Sequence, residues 1–270
     1  MIFRTGGANL LIPGVQVMQT GGGEFIGAYD AIPSITAAYG MRRLRSAYTG
    51  NCLRIRRNSD NTESDFGFDG AGDLDTTAIT AFLAATTGYV TTWYDQSGNG
   101  YNAVQTMAAN QPLYSAAGPT FDGTNDYLAT TMLAVIPDWS VIVRYSDAIL
   151  TGSRLLFGAQ EIEDKRFTIR IRTDLRTYQQ GGYTNVVIAA PVAAVIGFSD
   201  RQGYLNGVAE GAQIGAGING PMTSTIDIGR ATGALETGYY SGKMHEVVLS
   251  AISYTALQMA SIASIMETAP

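Results

Sequence analysis

The sequence has one cysteine, Cys52, and one histidine, His245, in 270 residues. A single cysteine excludes an intrachain disulfide. The fold must therefore rest on its core, which suits synthesis in a reducing compartment. Zinc sets built from Cys and His are excluded, and a nucleophile triad would have only His245 to draw on. Charge is also sparse. Asp, Glu, Lys and Arg make up 15% of the chain, and the net charge is -6. With no basic surplus to neutralise phosphates, nucleic acid is not an expected partner. Long apolar runs are missing too. Pro13 and several glycines interrupt the N-terminal LLIPGVQVM, so neither a signal peptide nor a membrane span is expected.

What is present is apolar and turn-rich. Hydrophobic residues reach 46%, with 32 glycines and 15 tyrosines. Disorder needs the opposite balance, and this one fits a mostly β protein. Residues 1–28 form a Gly-rich arm. The stretch 31–48 predicts a short helix after Pro33, with Ser34 as N-cap. CLRIRR (52–57) and YVTTWY (89–94) read as strands, and Asp75 caps a helix over TTAITAFLAAT. From Thr120 onward, short β runs recur between Gly, Asp, Asn and Ser, as in a sandwich or jelly roll. SYTALQMASIASIM (253–266) closes the chain as a helix.

The stretch WYDQSGNGYN (93–102) holds the densest polar pattern. Asp95, Ser97 and Asn99 place oxygens at alternate positions, and Gly100 allows a tight wrap. This opens like a calcium loop, but Thr106 stands where an EF-hand needs a bidentate Glu. The first reading is a rigid turn that fixes the N-terminal part of the chain onto the sandwich, with Asp95 accepting backbone N–H bonds. The second is an oxygen-rich calcium site of Asp95, Ser97 and Asn99, helped by Asp69 or Asp73.

Three other groups stand out. Arg42, Arg43, Arg45, Arg54, Arg56 and Arg57 form a basic cluster, either a site for phosphate or acidic glycan or a set of partners for the acids of 60–75. Tyr178, Tyr183, Tyr204, Tyr239 and Tyr240 are candidates for a sugar-stacking platform, against ordinary filling of β faces. Glu161, Glu163 and Asp164 read as a charged hairpin tip.

FDGTNDYL (121–128), DRQGYLNGV (200–208), IDIGR (226–230) and the segment 239–262 resemble the laminin-G-like, concanavalin-A-like jelly-roll superfamily. Residues 39–75 and 89–112, above all YDQSGNG, are similar to the catalytic domain of α-L-arabinofuranosidase B. Similar segments occur in bacteriophage virion proteins. The resemblance implies a concanavalin-like sandwich with an N-terminal extension carrying short helices. It divides the chain into an arm (1–28), an arabinofuranosidase-B-like segment (29–118) and a jelly roll (119–270).

The arabinofuranosidase family is retaining, and such enzymes need two carboxyl groups about 5–5.5 Å apart. The family's nucleophile aligns near Arg172, with Asp174 the nearest acid, and its acid aligns at Arg230. A guanidinium can neither attack an anomeric carbon nor donate a proton at neutral pH. The expectation is therefore no catalysis. It is a structural phage virion protein (head decoration, fibre or tail), made in the host cytoplasm, with a lectin-like, glycan-binding jelly roll. The arm would dock on other virion proteins, and the chain would form a homo-oligomer, with a trimer as the guess. The alternative is a glycoside hydrolase of α-L-arabinofuranosidase type.

Overall fold

The computed structural model describes residues 25–136, 139–149, 151, 154–162, 165–171, 175–179, 182–187, 193–211, 220–232 and 238–268. Most of the arm lies outside these residues, as do Arg172, Asp174, Glu163 and Asp164.

In chain order the elements are β1 (Ile35–Gly40), β2 (Leu53–Arg57), β3 (Glu63–Phe66), α1 (Thr76–Leu83), β4 (Gly88–Trp93), β5 (Ala103–Val104) and β6 (Thr120–Asp122). Next come β7 (Leu128–Ile136), β8 (Ser140–Ser146), β9 (Arg154–Ile162), β10 (Lys165–Ile171), β11 (Leu175–Gln179) and β12 (Gly182–Val187). The last are β13 (Ala194–Ser199), β14 (Gln202–Leu205), β15 (Val208–Glu210), β16 (Gly220–Ile228), β17 (Ser241–Ser250) and α2 (Ala256–Glu267).

The strands form two antiparallel sheets, so the expected mostly-β sandwich is what the chain adopts. One sheet runs β1-β17-β8-β13-β14-β15, with β6 also on β17. The other runs β12-β11-β10-β9-β16-β7-β5-β4-β2-β3. Strands from both sides of residue 118 share both sheets: β1 pairs with β17, and β5 with β7.

Alternation along the strands builds two cores. Ala37 and Tyr39 of β1, Val141 and Val143 of β8, and Val247 and Leu249 of β17 face the second sheet, where they meet Trp93, Phe157 and Phe167. The intervening Ala38, Ile142 and Val248 face outward against Met259, Ile262 and Met266 of α2. This sheet is covered on both faces, so its central strands read as continuous apolar runs instead of alternating ones. Both helices are capped, the first by the residue that the sequence predicts. Asp75 accepts from the Ala78 amide, and Thr255 with Gln258 forms a capping box.

The helix expected over 31–48 is instead the strand β1. Its Ala and Tyr residues are helix-compatible locally. Both faces are buried, however, and its edge is claimed by partners far away in sequence, so tertiary pairing overrides propensity. Ser34, the expected cap, sits at φ 55 before the strand.

The partner on the free edge of β1 is the 95–99 loop. Asp95 Oδ1 accepts from the Ala38 amide at 2.9 Å, and the Gln96 amide donates to the Ala38 carbonyl at 2.7 Å. Ser97 Oγ and Asn99 Nδ2 both donate to the Thr36 carbonyl, each at 2.9 Å. The buried Gln96 side chain accepts from the Leu44 amide and donates to the carbonyls of Gly40 and Arg42. Asp95 also receives the Ser97 amide and hydroxyl and the Tyr101 amide. Because the loop leaves β4 of one sheet and holds β1 of the other, it rivets the sandwich along one side.

Asp95→Ala removes a buried carboxylate and leaves buried donors without acceptors. Bonds to charged groups contribute about 1.5–3 kcal/mol each, so a loss of at least about 3 kcal/mol is expected. Urea denaturation checks this through the midpoint, and an unchanged midpoint would contradict the riveting role.

Candidate active site

A single row of cross-strand partners crosses the ten-stranded sheet. It passes from Asp65 to Arg54, Thr92, Val104, Ala129, Asp227, Gly158 and Thr168. In backbone register it continues through Tyr178 and Tyr183. Directly paired residues share a face. The flanking Ile226, Ile228, Phe167 and Ile169 are in the inter-sheet core, so the row lies on the outer face.

Asp227 is the chemically notable member. It sits between two core isoleucines yet is 1% exposed, because the chain folds back over it after β16. The Gly229 amide donates to the Leu156 carbonyl at 2.7 Å, and the Thr232 amide to the Gly158 carbonyl at 3.3 Å. Gly158, beside Asp227 in the row, must be glycine. It has φ +133, and a Cβ there would lie 1.9 Å from the Phe167 carbonyl oxygen.

Arg230 donates from Nε to Asp227 Oδ2 at 2.7 Å and lays its guanidinium 3.3 Å from the Tyr127 ring centroid. Tyr239 packs beside Tyr127, with centroids 6.5 Å apart. Asp227 Oδ1 is buried, and the Thr130 backbone beside the carboxyl adds to the pull of Arg230 on its charge. Burial pushes the Asp227 carboxyl up to about 6, against the opposing pull of Arg230.

A chain of hydrogen bonds leads from this cluster to a cleft of about 630 Å³. Gln105 Nε2 donates to the Tyr127 carbonyl at 3.2 Å, Gln111 Nε2 to the Gln105 carbonyl at 3.0 Å, and Arg56 Nε to Gln111 Oε1 at 2.6 Å. Arg56, Asn58, Tyr89, Gln111, Asp122 and Asp126 are among the residues that line the cleft. Asp126 Oδ2 accepts the Asp122 amide at 3.0 Å, while Asp122 Oδ1 accepts the amides of Thr124 and Asn125. Burial, with the Asp122 charge adding to it, pushes the Asp126 carboxyl up to about 7.

The residues singled out in the sequence separate as follows. Tyr239 belongs to the Asp227 cluster, and Tyr178 and Tyr183 hold register positions in its row. Tyr240 and Tyr204 are interior residues and offer no face to a sugar. Tyr240 packs against Phe121 and Tyr145, and Tyr204 joins the core under α2. Their strands are covered on the side where these rings project.

Asp95, Ser97 and Asn99 do come together, but in the clamp on β1, where both Asp95 oxygens accept hydrogen bonds. Among the described residues, no group of three or more His, Cys, Asp or Glu is placed to hold a metal ion. Within the basic cluster, Arg54 pairs with Glu63 and Asp65, and Arg57 with Asp60. Arg42 reaches Glu246, Arg43 stacks on Phe25, and Arg56 turns to the cleft. Cys52 is buried, and both ring nitrogens of His245 are engaged, with Ala117 and Ser146.

Asp227, Asp126 and the cleft itself were missed by sequence reasoning, whereas Arg56 stood in the basic cluster read as a site for phosphate or acidic glycan or as a partner for the acids of 60–75. The signal for Asp227 was an acid at the centre of I-D-I in an alternating strand.

Comparison with known proteins places this geometry. The family model for the catalytic domain of α-L-arabinofuranosidase B matches residues 26–138. The α-L-arabinofuranosidase B of Aspergillus oryzae is 39% identical over 74 residues, which are 27% of this chain and 15% of that protein. A GH54 α-L-arabinofuranosidase mutant soaked with 4-nitrophenyl α-L-arabinofuranoside superposes with a TM-score of 0.65 at 16% identity. That match covers 88% of this chain and 64% of the other. An arabinofuranosidase complexed with arabinofuranosyl-α-1,2-xylobiose superposes at 0.57 with 18% identity, over the same shares. The chain thus spans less than two thirds of the relatives it matches.

These likenesses overturn the expected non-catalytic virion protein, whether decoration, fibre or tail. The matching family model is that of a glycosidase catalytic domain, and the fold is that of glycosidases. The expected replacement of catalytic carboxylates by Arg is corrected with it. These likenesses show no such replacement, and Arg230 is the ion-pair partner of a buried carboxylate, Asp227.

Asp126 yields a prediction from its raised pKa. Its folded-state value lies above the ordinary 3.8. Its contribution is therefore complete below about pH 4 and is lost as pH rises toward 7. Asp126→Asn should raise the melting temperature by a few degrees at pH 8 and leave it nearly unchanged at pH 4. Thermal scans at the two pH values check the sign.

Proposed function

We propose that the chain is a glycoside hydrolase of α-L-arabinofuranosidase type, acting on terminal arabinofuranosyl groups. The observation that carries the reading is Asp227, a buried carboxyl held by Arg230 on the outer face of the larger sheet, with its pKa raised by that burial. The family-model match and the likeness to GH54 enzymes support it.

Glycosidases of this kind cleave through an oxocarbenium-like transition state, with one carboxyl group protonating the departing oxygen. A group in that role works best with a pKa near the working pH. Burial gives Asp227 this property, and Arg230 fixes its orientation through Oδ2. Tyr127 and Tyr239 beside it supply aromatic surface of the kind that packs on sugar C–H groups. The bond cleaved is the glycosidic C–O bond. The proton from the acid goes to the leaving oxygen, water adds to the anomeric carbon, and the proton that the water loses returns to the Asp227 carboxylate.

The purified chain should release 4-nitrophenol from 4-nitrophenyl α-L-arabinofuranoside. Asp227→Asn should lower kcat/KM at least about 100-fold, the scale of a lost general acid, while circular dichroism stays unchanged. No release by the unaltered chain would sink the proposal. Since the acid must carry its proton, kcat/KM should fall as pH rises through about 6. A flat profile between pH 5 and 8 would remove Asp227 from that role.

A further inference from the structure

Arg56 is a buried cation with no acid at ion-pair distance among the described residues. It is 8% exposed, yet no salt bridge reaches it among the described residues, whereas Arg54 and Arg57 on the same strand are both paired with carboxylates. Its Nε donates to Gln111 Oε1 at 2.6 Å and its Nη1 to Asn61 Oδ1 at 2.8 Å, and Nη2 has no hydrogen bond among the described residues. The guanidinium lies 4.9 Å from the Tyr89 ring centroid. A buried charge held only by neutral amides is costly unless an anion completes it. The amides fix the guanidinium plane without neutralising it, as a site for an incoming carboxylate requires.

The cleft has room and polarity to match. Its volume of about 630 Å³ is large enough for a sugar residue. Arg56, Asn58, Tyr89 and Gln111 line it together with Asp122 and Asp126. The two signs of charge in its lining set an orientation. A carboxylate is drawn to the Arg56 end and repelled from the aspartates, whose oxygens suit hydroxyl donors. Tyr89 contributes an aromatic wall. A ligand with one carboxylate, several hydroxyls and an apolar ring face is a sugar acid.

We propose that this cleft is a subsite for a uronic acid residue of an anionic glycan, with its carboxylate on Arg56. The inference rests on the glycan-directed reading of Asp227, to which the Gln111–Gln105–Tyr127 chain connects the cleft. It does not require catalysis. The substrate class it implies is a polysaccharide carrying both arabinofuranosyl and uronic acid groups.

The test is isothermal titration of the full chain with a glucuronate-bearing xylo-oligosaccharide, a neutral xylo-oligosaccharide of equal length, and inorganic phosphate. The acidic oligosaccharide should bind at least tenfold more tightly than the neutral one and more tightly than phosphate. Arg56→Gln should bring it down to the neutral level, and Arg56→Lys should keep part of the preference. Asp227→Asn should bind it unchanged, so a failed hydrolase reading with intact binding would leave this subsite standing. Equal binding of the neutral chain, phosphate binding as tight as the sugar acid, or an unaffected Arg56→Gln variant would overturn it. If Arg56→Gln does not fold, amide shift mapping on the unaltered chain decides. Perturbations centred on Asn58, Tyr89 and Gln111 support the subsite, and perturbations elsewhere refute it.

Discussion

The pairing of one buried aspartate and one buried glutamine with the edge of a strand holds this architecture together. Asp95 and Gln96 leave β4 and occupy the backbone groups of Ala38, Gly40, Arg42 and Leu44. An open edge of β1 would expose unpaired N–H and C=O groups, and side chains from the facing sheet take their place. The two sheets are thereby fixed in relative position along one side. The larger sheet can then present its outer face as a settled surface, with Asp227, Tyr127 and Arg56 at defined places.

That outer face shows how a sandwich accommodates chemistry. Its inner face is spent on Trp93, Phe157, Phe167 and the isoleucines of β16. Alternation leaves the opposite positions free for polar groups, and coverage by the 229–232 turn and the 105–111 segment dries them. Drying raises the carboxyls of Asp227 and Asp126 into the range where proton transfer near neutral pH is effective. The same drying leaves Arg56 held by amides in place of an acid.

Much of this was legible in the sequence, and the failures share a cause. The sandwich, the cap at Asp75, the closing helix and the YDQSG turn as a fixing element follow from local chemistry, which the residues display directly. The strand β1 was not legible, because its pairing depends on β17, some 210 positions away by their residue numbers. Arg230 was read as a substitute for an acid because its partner, Asp227, lies three positions earlier on a strand whose facing could not be known. Arg56 looked like its neighbours Arg54 and Arg57 until register put it opposite Tyr89 and beside the cleft. Burial of Tyr204 and Tyr240 depended on α2 and on the β6–β17 pairing, which tyrosine composition does not reveal.

The position of β17 also has a bearing on how the molecule comes into being. It lies between β1 and β8, so the first strand of the smaller sheet waits beside a vacancy until β17, some 200 positions later by their residue numbers, has left the ribosome. Closing such distant ends carries a large loop-closure cost before any contact repays it, and folds of this kind assemble slowly. Until then, the apolar side chains of β1 and β8 have no neighbour between them. Along the order of synthesis, the YDQSG clamp is complete long before β17 emerges. It gives the nascent β1 a partner on one edge while the other remains open.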